Sequence, residues 1–163
     1  MTPTALKFLA FLPLFAAAVE AGATDSGEPD ALELWLADRT YVFEASEIEL
    51  DTFKWNARPL VVFADSENDP SFQRQLELLE AQRDELVERD VVLITDTNPD
   101  EPSALRTKLR PRGFQLTLIG KDGGVKLRKP FPWGVRELSR QIDKMPIRRQ
   151  ELIDDKAAAR TAE

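Results

Sequence analysis

Two continuous apolar runs lie in the middle of the chain, at residues 60–64 and 91–95. Runs of this length are typical of strands that are buried on both faces of a sheet. Between them, Asp69 followed by Pro70 indicates a helix start, with the aspartate as N-cap and the proline in the first helical position. Apolar residues then recur at helical spacing up to about Arg89, namely Phe72, Leu76, Leu79 and Leu86. The pattern predicts a strand–helix–strand unit.

The second half of the chain carries shorter elements. Pro102 opens a predicted short helix that ends before Pro111. Residues 115–119 and 125–128 are β-prone runs joined by an Asp-Gly turn, which is a strong hairpin signal. A last helix is predicted over residues 133–145. Residues 31–52 mix alternating leucines with β-prone aromatics, so this segment is predicted to cover one edge of the core as a helix or a strand.

The predicted order β-α-β-α-β-β-α is the arrangement of a thioredoxin-like α/β domain. We therefore expect a central mixed sheet of about four to five strands flanked by helices, built from residues 50–151. Residues 24–49 are predicted to form a linker and an N-terminal covering segment. Residues 152–163 are charged and Ala-rich, and we expect a flexible tail there.

The N-terminus has the layout of a secretory signal peptide. Lys7 precedes an apolar run at residues 8–19, and Ala21-Gly-Ala23 is a cleavage site, with cleavage after Ala21 as a second choice. The run is shorter than the roughly 20 residues of a transmembrane helix, so no stable membrane span is expected after cleavage. The alternative is that the run stays attached as an anchor. We expect the mature protein to be periplasmic or secreted.

The amino-acid composition excludes several classes of chemistry. The chain contains no cysteine and no histidine. Thiol–disulfide exchange and peroxiredoxin chemistry need a thiolate and are therefore excluded. The common ligands of zinc, copper and haem iron are missing too, and we expect no cofactor. The net charge of −7 argues against nucleic acid as a partner.

Four segments together resemble one protein family: residues 55–58 (WNAR), 89–92 (RDVV), 120–128 (GKDGGVKLR) and 145–151 (MPIRRQE). The chain is similar to the domain of unknown function 4174 family, a thioredoxin-like group. The resemblance implies a thioredoxin-like fold in an extracytoplasmic setting, with no established enzymatic activity and no catalytic residues to carry over. Where thioredoxins place a cis-proline before the third strand, this sequence reads Gly113-Phe114-Gln115.

The turn after the first buried strand is one candidate ligand- or partner-binding site. Asp65, Ser66 and Asn68 stand where a thioredoxin carries its reactive cysteines, at the end of an α/β sheet that usually binds ligands. The alternative is a simple turn capped by Asp69. Ser66 as a nucleophile lacks a histidine base.

The hairpin is the other candidate. Its cations Lys121, Lys126 and Arg128 form a local basic patch that suits an acidic protein partner or an anion. The alternative is that they protect the sheet edge from aggregation.

Two further features have mainly structural interpretations. Asp96, Asn98 and Asp100 match the first half of a calcium loop, but the required glycine and bidentate glutamate do not follow. Trp55 and Arg58 flank the entry to the first buried strand; tryptophan is usually buried and an arginine can stack on its face, so a structural role is favoured for both.

These observations favour a non-catalytic binding or interaction module of the bacterial cell envelope, with a protein partner of unknown identity. The alternative is a cysteine-independent hydrolase or metal-dependent enzyme that uses Asp65, Glu67 or Asp96. That alternative requires the carboxylates to converge in one pocket. A third interpretation is a structural role at the cell envelope.

Overall fold

The computed structural model describes residues 30–161 and contains a five-stranded sheet in the order β1-β3-β2-β4-β5. The strands are β1 (Val42–Glu44), β2 (Arg58–Phe63), β3 (Val91–Asp96), β4 (Gln115–Ile119) and β5 (Val125–Lys129). β1, β3 and β2 are parallel, whereas β4 pairs antiparallel with β2 and β5 pairs antiparallel with β4. The predicted α/β class and the mixed sheet are confirmed.

Within residues 30–161 the structure has six helices: α1 (Ala31–Ala37), α2 (Pro70–Glu80), α3 (Arg83–Val87), α4 (Ala104–Leu109), α5 (Val135–Asp143) and α6 (Pro146–Thr161). Because successive residues of a strand point to opposite faces, β2 contributes to two cores. Leu60 and Val62 pack with residues of α2, α3 and α5. Val61 and Phe63 pack with residues of α1, α4 and a short 3-10 turn at Leu50–Phe53.

The single helix predicted from Pro70 to Arg89 is wrong, because the structure divides it into α2 and α3. Gln82 has non-helical backbone angles (φ −137°, ψ 41°) and separates the two helices. Leu79 of α2 and Leu86 of α3 both lie in one core, as the pattern predicted for a single helix. The last core helix also differs from its prediction, since it begins at Val135 rather than residue 133.

The segments before β2 and after α5 also contain regular structure. The undecided segment 31–52 contains α1, the edge strand β1 and the start of the 3-10 turn. In the C-terminal segment, where a flexible tail was expected over residues 152–163, α6 is continuous up to Thr161. Its alanines and long charged residues favour helix. The predicted signal peptide at residues 1–23 and most of the linker that follows lie outside the described residues.

Candidate functional site

The turn after β2 holds Asp65, Ser66 and Asn68 together as predicted. Ser66 Oγ accepts a hydrogen bond from the backbone N–H of Asn68 (3.1 Å), so this hydroxyl orders the turn. Asp69 Oδ1 accepts from the N–H groups of Ser71 (2.7 Å) and Phe72 (3.2 Å) and caps α2, which confirms the predicted helix start. The turn therefore stabilises the first turn of α2, as an N-cap commonly does.

A buried arginine that the sequence analysis missed lies beside this turn. Arg106 of α4 is 9% exposed, and its Nε donates to Asp96 Oδ1 (2.8 Å). Its Nη2 donates to the carbonyl oxygens of Ala64 (2.6 Å) and Asp96 (3.0 Å), and its Nη1 lies 3.6 Å from Asp65 Oδ1. One guanidinium thus joins the carboxyl ends of β2 and β3, where open α/β sheets usually bind ligands.

The half calcium loop is part of the same network. Asp96 Oδ2 accepts from Ser103 Oγ (2.6 Å), so both carboxylate oxygens of Asp96 are engaged by the protein. Within residues 30–161, no group of three or more acidic, histidine or cysteine side chains is arranged to hold a metal ion. Asp96 serves here as the partner of Arg106.

The hairpin cations do not form one free patch. Lys121 Nζ lies 2.8 Å from both Asp90 Oδ2 and Glu151 Oε1, and the side chain is largely buried. Lys126 Nζ lies 2.6 Å from Asp122 Oδ2. The hydrogen bond from Lys126 is the largest cause of a lowered pKa of Asp122.

Arg128 is engaged as well, because its Nη1 donates to the carbonyl oxygen of Leu109 at the end of α4 (2.6 Å). Each of the three predicted cations is thus engaged by at least one acceptor within the protein. A partner that docks on the hairpin has to compete with these contacts.

The four segments that carry the family resemblance meet in one ion cluster at the amino ends of β2 and β3. Arg58 is 1% exposed, and its Nη2 donates to Glu151 Oε1 (2.9 Å) and Oε2 (3.0 Å). Its Nη1 donates to the carbonyl oxygen of Arg89 (2.8 Å). Lys121 joins Glu151 to Asp90, so the cluster attaches α6 to the sheet.

Partial burial raises the pKa of Glu151, but the hydrogen bonds from Lys121 and Arg58 outweigh it and hold that pKa below its ordinary value of 4.5. Glu151 is therefore held as an anion within the cluster.

Trp55 lies outside this cluster and is not buried, unlike most tryptophans. Its side chain is 64% exposed, and its backbone adopts a positive φ of 67°. The backbone N–H of Trp55 donates to the carbonyl oxygen of Lys121 (2.7 Å), which ties this turn to the hairpin.

A groove of about 520 Å³ opens beside β1, where α2 does not cover the sheet. Val42 and Thr95 lie on its sheet side, and Phe72 and Leu76 of α2 line the other side. Glu44, Glu67 and Glu101 also line it, together with Asp96. Glu67 and Asp96 thus share one groove, whereas Asp65 is not among its lining residues. The sequence did not reveal this groove because β1, which forms its outer side, was not recognised.

Comparison with known proteins agrees with the geometry. The family described as Domain of unknown function (DUF4174) matches residues 49–151. A reduced 2-Cys peroxiredoxin of Plasmodium vivax has 16% identity and a TM-score of 0.51, over 64% of this chain and 85% of that one. Thioredoxin peroxidase I of Plasmodium yoelii has 18% identity and a TM-score of 0.44, over 59% of this chain and 76% of that one. The first similarity shows a thioredoxin-like fold, here in a chain without cysteine.

Among residues 30–161, no helix combines the length and the apolar character needed to cross a membrane.

Proposed function

This chain belongs to the family described as Domain of unknown function (DUF4174), and from that premise we propose that it is a non-catalytic binding module that works outside the cytoplasm. The observation that supports this most is the buried Arg106 at the carboxyl ends of β2 and β3. Its ion pairs occupy the region next to the turn where a thioredoxin carries its thiols. A guanidinium held by these partners stabilises the domain, which supports a non-catalytic role.

The alternative of a carboxylate enzyme has one observation in its favour, because Glu67 and Asp96 line the same groove. A general acid–base pair needs carboxylate oxygens that are free to exchange protons with a substrate. Both oxygens of Asp96 accept hydrogen bonds from Arg106 and Ser103. The geometry therefore favours binding over hydrolysis.

Site-specific photocrosslinking in the source cells tests the binding role. A photoreactive phenylalanine is placed at position 42 in the groove, at position 126 on the hairpin, or at position 155 on α6 as a control. We expect an adduct of defined mass at 42 or 126 and none at 155. Absence of adducts at both 42 and 126 would overturn the proposal, as would equal labelling at all three positions.

Export is tested by the mass of the mature protein. The apolar run at residues 8–19 and the Ala21-Gly-Ala23 site support cleavage by a signal peptidase. We expect the protein recovered from the periplasm or the medium to begin at Thr24 or Gly22. A full-length chain that stays in the cytosolic fraction would contradict the proposal.

A further inference from the structure

The two edges of the sheet differ in how they are protected. Strand edges present unpaired backbone groups, and natural proteins guard them with charged side chains or short strands. The outer strand β5 alternates cations, with Lys126 and Arg128 two positions apart. The opposite edge has Val42 and the preceding Tyr41, which are 41% and 40% exposed. The β1 edge is short but carries apolar side chains.

The backbone of β1 leaves groups available on its outer side. The N–H of Ala45 donates to the carbonyl oxygen of Thr95 (2.9 Å), so Ala45 faces β3. Because hydrogen-bonding groups alternate sides along a strand, Phe43 also faces β3, while the N–H groups of Val42 and Glu44 point away from it. An added strand would pair with those groups.

The charged side chains around this edge are mostly acidic. Glu44, Glu67 and Glu101 line the groove, and within residues 30–161 none of them has a lysine or arginine within ion-pair distance. A second depression of about 490 Å³ shares Val42 with the groove and adds Glu80, Asp84 and Arg83, of which Arg83 is ion-paired with Glu80 (3.1 Å). The groove side of the edge, where the three glutamates have no such partner, therefore attracts positive charge.

We propose that the outer edge of β1 binds an extended basic segment of a partner protein, which adds a strand to the sheet and places its cations against the glutamates of the groove. This inference rests on the proposed binding role and names its partner class. Main-chain pairing supplies the affinity and the groove supplies the preference for basic and apolar side chains, as in other cases of strand addition.

The probe is a fluorescent eight-residue peptide of alternating lysine and valine, titrated into the mature chain. We expect saturable binding, and no binding of the same peptide with glutamate in place of lysine. A third peptide keeps the lysines but is N-methylated at alternate backbone nitrogens, which blocks pairing, and we expect it to bind at least about fivefold more weakly. Equal binding of the methylated peptide would overturn strand addition.

Two variants locate the site. Val42→Pro removes an outward N–H without removing a bond to β3, as proline on a strand edge can, and we expect the affinity to fall about fivefold. Glu44→Lys with Glu101→Lys reverses the charge and should weaken binding by about tenfold or more. The matched control is Glu77→Lys with Asp155→Lys, which changes the net charge equally and should bind normally. Equal losses in both double variants would contradict a specific groove.

Each variant is first checked by thermal unfolding, so that loss of fold is not read as loss of binding. The crosslinking experiment separates the two proposals. An adduct at position 126 combined with no peptide binding at β1 would overturn this inference and leave the binding role intact. No adduct at either position would overturn the binding role itself.

Discussion

Replacing Arg106 with leucine is expected to destabilise the domain by about 3–5 kcal/mol, because removal of one partner of a buried pair leaves the other charge uncompensated. Asp96, at 7% exposure, would lose its buried cation, and the carbonyl oxygen of Ala64 would lose its donor. Leucine is chosen because Leu105 and Leu109 are the other buried residues of α4. Chemical unfolding of the mature chain should show a lower midpoint with an unchanged slope.

The double variant Arg106→Leu with Asp96→Asn is the control for this prediction. Removing both charges avoids the unpaired carboxylate, so we expect it to recover a large part of the lost stability. A loss below about 1 kcal/mol in Arg106→Leu would mean that the pair is worth no more than a surface ion pair. In that case the ion pair between Arg106 and Asp96 would not stabilise the domain appreciably.

Glu151→Gln is expected to lower the free energy of unfolding at neutral pH by about 2 kcal/mol, because the buried Arg58 keeps a hydrogen bond but loses its nearest counter-charge. It should also change the pH dependence. The pKa of Glu151 is lower in the folded protein than its ordinary value of 4.5. Stability from this group is therefore complete above about pH 4.5 and is lost as the pH falls through the folded pKa.

The measurement is the unfolding midpoint from pH 7 down to pH 3. We expect the curve of Glu151→Gln to be flatter than that of the unchanged chain below about pH 4.5. Asp155→Asn, also on α6 but exposed, is the matched control and should keep the original slope. Equal slopes for all three proteins would contradict the role of Glu151 in the cluster.

The features that the sequence predicted well are those encoded by local patterns. The apolar runs at 60–64 and 91–95 correspond to β2 and β3, and Asp69 with Pro70 begins α2 as predicted. The Asp-Gly turn joins β4 to β5. Each of these depends on residues that are close in sequence, where propensity and burial act together.

The features that were missed depend on contacts between distant residues. Arg58 and Glu151 are 93 positions apart, and Arg106 is 42 positions from Ala64. One local signal for Arg106 existed, since it lies beside Leu105 on the buried side of α4. The ion cluster at the amino ends of β2 and β3 had no local sequence signal. Each of its members is an ordinary charged residue within its own segment.

The sequence left β1 undecided and did not indicate the exposure of Trp55, for another reason. β1 has only three residues, which is too short for its alternation to be distinguished from that of the neighbouring helix. Tryptophan is usually buried, but Trp55 lies in a turn with a positive φ and its side chain is exposed. The average burial of a residue type does not predict the exposure of one particular residue.

The most direct test of a binding role at this edge is an NMR titration of the isotope-labelled mature chain with the lysine–valine peptide. We predict that amide shifts concentrate on Val42, Glu44 and the groove residues of α2, and that hydrogen exchange slows at Val42 and Glu44. Shifts confined to the hairpin around Lys126, or no shifts at all, would contradict a binding site at β1.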